Sequence, residues 1–475
     1  MTASKVTPTG VKATRPAKKP AKKVAKDYVP PSPYSLRAAL SRGDWFTRLS
    51  VLVWGLGNFA RKQIVKGILW LAIEILSIWY FIAAGFPAIA ALPQLGEKGG
   101  SKYKDADGFW HYKTVTPSVV VLLYGVIAVV LLVVFVWAWT LAVRSAYKAQ
   151  CLAQKNGHAP SFRQDLHTLF DADGEISLMF LPTLGIFIFT VLPLVFMISM
   201  AFTSYDSNHT TKFDWVGLQN FGIVFGNSGN VVNIHVFISV LIWTLVWAFF
   251  ATFLNFFLGM FLSMVIERKT TRGKAFWRGL FSMSIAVPQF VSLLVMNQML
   301  QQNGAINRLL ESWGWISGPL PFFTDTTWAR VTVIVINLWV GIPFTMMQIT
   351  GILENIPAEL YEAARIDGAN WWQQFINVTM PYIMFVLTPY LITTFTGNVN
   401  NFNVIYLLSN GDPQPVGSSA GSTDLLITWL YKLTVDQDNY NLGAVIGICT
   451  FIVLAVVSLI TYQSSGSYKN EEAFR

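Results

Sequence analysis

Long apolar runs recur along this chain, and each is close to the roughly 20 residues that a helix needs to cross a hydrocarbon core. Eight such runs occupy residues 67–85, 117–143, 178–202, 236–266, 276–300, 329–352, 382–408 and 442–462. They are apolar on every face, whereas a membrane barrel would show ~10-residue segments of alternating polarity. The pattern therefore predicts an all-α fold, a polytopic membrane helical bundle of about eight transmembrane helices. A shorter apolar stretch at 45–61, broken by Gly55 and Gly57 and flanked by bases, reads as interfacial rather than spanning.

The polar stretches divide the chain into three parts. Residues 1–43 are rich in Lys, Ala and Pro and read as a disordered basic cytoplasmic tail that reinforces topology and could touch anionic headgroups. Residues 44–175 form an N-terminal extension with the interfacial stretch and two spans. Residues 176–475 form a six-helix core joined by compact loops. The first long apolar run begins too far from Met1 for a cleaved signal peptide.

Composition agrees with lipid as the main solvent: the 475 residues are 53% hydrophobic and only 12% charged. Of the 34 Lys and Arg, 26 fall on one side of the eight-span scheme and 8 on the other. The positive-inside bias places both termini in the cytoplasm.

Several classes of chemistry are missing. Cys151 and Cys449 give neither a disulfide framework nor a metal-ligand spacing, and His111, His158, His167, His209 and His235 are scattered in loops or at span ends. No G-x-x-x-x-G-K-[ST] loop is present, so any ATP that drives the protein must bind another chain. The GSSAG run at 417–421 has the form of a nucleophile elbow but lies in a Gly/Ser/Pro-rich external loop, where composition alone accounts for it. The GxxxG from Gly443 to Gly447 reads as close helix packing. At mid-membrane depth the one ionisable residue is Glu74, which could pair with a neighbouring helix. A proton- or sodium-coupled carrier would be expected to hold several acids or histidines there.

The most informative stretch, ENIPAELYEAARIDGANWWQQFINVTMP at 354–381, follows the sixth span on the cytoplasmic side. It reads as helix, turn, helix. Pro357 suits a helix start, Glu359 and Glu362 lie toward the positive end, Gly368 supplies a stop, Asn370 caps the next helix, and Pro381 opens the seventh span. An amphipathic linker resting on the membrane would look much the same. In the core, Asn337, Gly341 and Phe344 share one helical face at i, i+4 and i+7, as do Thr394, Asn398 and Asn401. Amides, hydroxyls and rings suit a neutral, hydroxyl-rich ligand, although Asn and Thr also serve membrane bundles as interhelical glue.

The stretch at 354–381 resembles the signature loop of ABC importer permeases of the binding-protein-dependent type: Glu362, Ala363, Ala364 and Gly368 match it, followed at the family's spacing by Val378, Met380 and Pro381. The segments AVPQFVS, NLWVGIPFTM, FTGNVNNFNVIYLLSNGDP and TDLLITWLY are similar to the larger membrane subunit of maltose/maltodextrin transporters. The resemblance implies a permease subunit of an ATP-driven oligosaccharide importer in a prokaryotic cell membrane. It implies that Glu362, Ala363, Ala364, Asp367, Gly368 and Pro381 belong to a loop docking onto a separate ATPase. The chain itself would bind no cofactor, with ATP and Mg held by that ATPase. Implied partners are a second permease subunit in a heterodimer, two ATPase subunits and an extracytoplasmic sugar-binding protein, with no nucleic acid. The family's sugar site maps onto Ile285, Gln289, Asn337, Val340, Gly341, Phe344, Thr394, Gly397 and Asn398. Ile285 and Phe344 replace tyrosines of the maltose site and Gln289 a serine, so the sugar itself stays open. The competing classes are an ion-coupled secondary sugar carrier, an ABC permease for a different solute, and a membrane-embedded enzyme, for which no catalytic set is assembled.

Overall fold

A computed structural model describes residues 34–95, 102–104, 107, 110–112, 116–171, 174–226, 231–268 and 270–464. Most of the basic tail and the last eleven residues lie outside the described residues, as do the expectations placed on them. The fold is all-α, with a three-residue antiparallel ribbon, Lys102–Lys104 with Trp110–Tyr112, as a small addition. Among the described residues, seven helices are long and apolar enough to cross a membrane: Ile64–Gln94, Ser118–Asn156, Ser177–Met200, Ile234–Glu267, Thr326–Glu354, Trp371–Val399 and Tyr440–Ile460. A bent pair, Lys274–Ala286 with Gln289–Met299, makes the count eight when taken as one span. We number the spans one to eight in chain order, the bent pair being the fifth.

Two spans depart from the expected pattern for local reasons. The fifth, expected as one helix over 276–300, turns through 82° between its halves. Pro288 has no N–H and pushes the preceding Val287 out of helical backbone, to φ −83° and ψ 126°. The seventh, expected over 382–408, starts earlier at Trp371 and ends at Val399, and Phe402–Leu408 is a separate helix. Asn401 caps that helix by accepting from the Val404 amide at 3.3 Å, so it stands off the helical face it was expected to share. Pro381 likewise lies inside a continuous helix instead of opening it. A wide π turn, Phe375–Thr379, comes just before it. The same arrangement recurs at Phe81–Gly85 before Pro87 and at Phe187–Val191 before Pro193. In each case a wider turn absorbs the missing donor and the ring's clash with the preceding turn.

By its contacts the chain forms two compact units. The first, 1–83 with 130–182, includes the stretch 45–61, which is two short helices, Trp45–Leu49 and Leu56–Phe59, and does not span. Inside the part read as tail, Leu36–Arg42 is helical, with Ala39 packed against Val143 and Tyr147. Asp44 caps Trp45–Leu49 by accepting from the Thr47 amide at 2.9 Å and pairs with Arg61 at 2.8 Å. Burial pushes the Asp44 carboxyl up, but these hydrogen bonds and the Arg61 charge outweigh it and hold it below its usual range. Glu74 is buried and accepts from the Trp54 backbone amide at 2.8 Å, which gives the intramembrane acid a local structural partner.

The second unit, 84–129 with 183–475, carries the core of the bundle. The fourth span buries a continuous stripe, Phe237, Val240, Trp243, Trp247, Ala251, Phe256 and Met260, at helical period. Its packing against the sixth span uses small residues: a Cβ on Gly259 would lie 2.8 Å from Thr345 Cβ, and Ser263 bonds Thr350 at 2.8 Å. Two apolar clusters form, one around Trp243, Trp247, Leu293, Val404 and Ile405, the other around Phe256, Ile349, Ile383 and Leu387. In the eighth span, Gly443 and Gly447 lie against Thr434 and Leu430, the close packing that the GxxxG spacing implied.

Candidate functional site

Between the two apolar clusters lies a cavity of about 240 Å³, bounded by Ala251 of one and by Phe256 and Leu391 of the other. Its lining includes Gln289, Asn337, Val340, Gly341, Phe344, Thr394 and Asn398, seven of the residues singled out from the sequence. Gly397 and Ile285 do not line it. Asn401 does, from its capping position. The break in the fifth span places Gln289 at the first residue of its second half, where it reaches the cavity wall.

Sequence reasoning missed the contribution of the fourth span. Thr252 and Asn255 both line the cavity, and both are buried polar residues in an otherwise apolar run, which was the available signal. Asn398 Nδ2 donates to Thr252 Oγ1 at 3.0 Å, Asn401 Nδ2 donates to Asn398 Oδ1 at 3.4 Å, and the Trp247 indole donates to the Asn398 carbonyl at 3.1 Å. Asn398 thus joins two spans while lining the cavity. Asn255 Nδ2 donates to the Ala251 carbonyl at 2.7 Å, and its Oδ1, though buried, accepts no hydrogen bond among the described residues. Gly341 is a matter of space: a Cβ there would sit 2.5 Å from Asn255 Nδ2.

The stretch 354–381 forms its helix–turn–helix. Pro357 precedes the helix Ala358–Ile366, and Gly368, at φ +79°, ends it. The Ala369 amide bonds back to the Ala364 carbonyl at 2.9 Å, a left-handed closure that a β-branched residue would resist. Asn370 and Gln373 then form a reciprocal capping box at 2.9 and 2.8 Å. Glu362, Ala363, Asp367 and Gly368 are exposed, and Ile366 is 86% exposed, an apolar side chain with almost no cover from its own chain. Tyr361 faces inward and bonds Thr379 at 2.9 Å.

An ion-pair network, also unforeseen, adjoins this loop. Glu267 at the end of the fourth span contacts Lys274 and Arg278, each at 3.2 Å, and Arg278 reaches Glu354 at the end of the sixth at 2.8 Å. The GSSAG run is structural: Ser419 Oγ accepts from the Trp429 indole and donates to the Val231 carbonyl, both at 3.0 Å.

Residues 255–465 match the family model described as binding-protein-dependent transport system inner membrane component. The chain is 33% identical over 430 residues to the galactooligosaccharides transport system permease protein GanP of Bacillus subtilis (strain 168), covering 88% of this chain and 96% of that one. The chain belongs to this family of inner-membrane permeases. The permease is also 31% identical over 430 residues to the maltodextrin transport system permease protein MalC of Streptococcus pneumoniae serotype 4, covering 88% of this chain and 95% of that one. Among solved structures it resembles a chain of a bacterial alginate ABC transporter in complex with an alginate pentasaccharide-bound periplasmic protein. That match has a TM-score of 0.51 at 21% identity and covers 64% of the permease and 98% of that chain, a likeness of fold. The permease is a multi-pass transport component of the membrane.

Proposed function

We propose that this permease is one membrane subunit of an ATP-driven oligosaccharide importer, with the mid-bundle cavity as its share of the sugar path. The observation that carries the reading is the cavity's lining. It presents the amides of Gln289, Asn337, Asn398 and Asn401, the hydroxyls of Thr252 and Thr394, and the ring of Phe344, with no acid or base among the residues that line it. Such a wall can both donate to and accept from sugar hydroxyls and stack on a sugar face, and it offers a coupling ion no charged ligand. The names of GanP and MalC support an oligosaccharide as the solute. At about 240 Å³ the cavity is smaller than typical sites for sizeable ligands, roughly 300–1,000 Å³, which fits a site completed by a second permease subunit.

In this reading the loop 354–381 lies in the cytoplasm and offers Glu362, Ala363, Ile366 and Asp367 to a separate ATPase that binds the ATP and Mg. An extracytoplasmic binding protein delivers the sugar. Co-expression of the permease with a second permease and an ATPase encoded beside it tests this assembly. The purified complex should hydrolyse ATP faster when sugar-loaded binding protein is added, and the permease alone should hydrolyse none. A permease that purifies without these partners, or a complex indifferent to loaded binding protein, would remove the reading.

A further inference from the structure

A second cavity, of about 390 Å³, adjoins the helix Ala358–Ile366, and Ile366 is not among its lining residues. Arg268, which follows the fourth span, and Arg365, on the loop helix, both line it, together with Tyr361, Trp371, Gln374 and Thr379. Neither arginine makes an ion pair or a side-chain hydrogen bond among the described residues. The carboxylate that lines the cavity, Glu267, is engaged by Lys274 and Arg278. Glu354 is taken by Arg278 as well. The cavity wall itself carries two cations and one carboxylate, and that carboxylate is already engaged from outside, which leaves the two uncommitted guanidinium groups in one concavity.

A guanidinium is always charged, and its planar fork of donors matches the oxygens of a phosphate. The Tyr361 and Thr379 hydroxyls, 2.9 Å apart, add polar groups at the same wall. Trp371 and Phe375 stack at 5.9 Å with planes 8° apart, forming a flat apolar side that suits the organic part of an ester. We propose that this cavity binds a phosphate-bearing anion. Its two sources are the headgroup of an anionic phospholipid in the adjacent leaflet and a soluble phosphate ester. Because Arg268 follows the fourth span and Arg365 rides on the loop helix, a bound anion ties the loop to the bundle and stiffens the element proposed to meet the ATPase.

The test uses the full-length chain purified from membranes. Native mass spectrometry after exchange into mixed phosphatidylglycerol and phosphatidylcholine should show preferential retention of phosphatidylglycerol if the lipid is the ligand. Titration with inorganic phosphate in phosphatidylcholine nanodiscs should show saturable binding if the ester is soluble. In either case the double variant Arg268→Gln/Arg365→Gln should bind about 10-fold or more weakly, Arg268→Lys/Arg365→Lys should fall between, and Arg272→Gln, outside the cavity, should match wild type. The single Gln variants should each lose part of the binding, which keeps the test open if the double variant folds poorly. Absence of both lipid preference and phosphate binding in the wild type, or equal binding by the folded Gln variants, would overturn the proposal.

Discussion

Asn398 donates to Thr252 and lines the cavity, so its removal acts on stability and on solute together. Asn398→Ala is expected to lower sugar affinity by about 1–3 kcal/mol, roughly 5- to 150-fold, and to loosen the fourth span from the seventh by about 0.6 kcal/mol. Sugar titration and thermal melting of the same variant separate the two effects, and an affinity equal to wild type would reduce Asn398 to helix glue. Gly341 was legible as a member of the face shared with Asn337 and Phe344, but the reason it must be small was not, because the neighbour that fills the space, Asn255, belongs to a different span. Even Gly341→Ala must displace that amide, so transport should fall several-fold while the protein still inserts; unchanged uptake would contradict this packing. Glu74 belongs to the N-terminal unit and serves the Trp54 amide. Glu74→Gln keeps an acceptor and should melt close to wild type. Glu74→Leu orphans a buried donor and should cost about 1–3 kcal/mol of stability. Equal melting of the two would mean that the hydrogen bond is not what Glu74 is for.

The elements show where pattern-reading ends. Apolar runs located every span, and the Gly368 stop and Asn370 cap were readable because their chemistry is local. The break in the fifth span and the early end of the seventh were not, although Pro288 and Asn401 stood in the sequence. A proline in a membrane helix is compatible with a straight run, a π turn or a break, and surrounding packing selects among them: Pro343 sits inside a continuous helix, Pro381 follows a π turn, and Pro288 marks an 82° bend. The charge network of Glu267, Arg278 and Glu354 was hidden because its members lie on three different spans. The loop helix carries the next expectation. Gly368→Val forces a β-branched side chain into a left-handed backbone, and Glu362→Lys reverses an exposed charge. Both variants should insert normally and lose sugar-stimulated ATP hydrolysis in the assembled transporter. Wild-type stimulation in both would remove the loop from coupling.

For the whole molecule, we propose from the basic-residue bias, with the bent pair taken as one of eight spans, that both termini and the loop 354–381 face the cytoplasm. In a background lacking Cys151 and Cys449, a cysteine at Glu362 should react only with membrane-permeant reagents, and one at exposed Ser317, between the fifth and sixth spans, should label from outside. Labelling of both from the same side would reverse the scheme. The direct test of the central claim is solute uptake by proteoliposomes holding the permease with its second permease and ATPase, with binding protein and labelled maltodextrin or galactooligosaccharide outside. Uptake should require ATP inside, proceed without any ion gradient, and fall sharply in Gly341→Leu while the complex stays assembled. Uptake driven by a proton or sodium gradient without ATP, or unaltered by Gly341→Leu, would contradict the account.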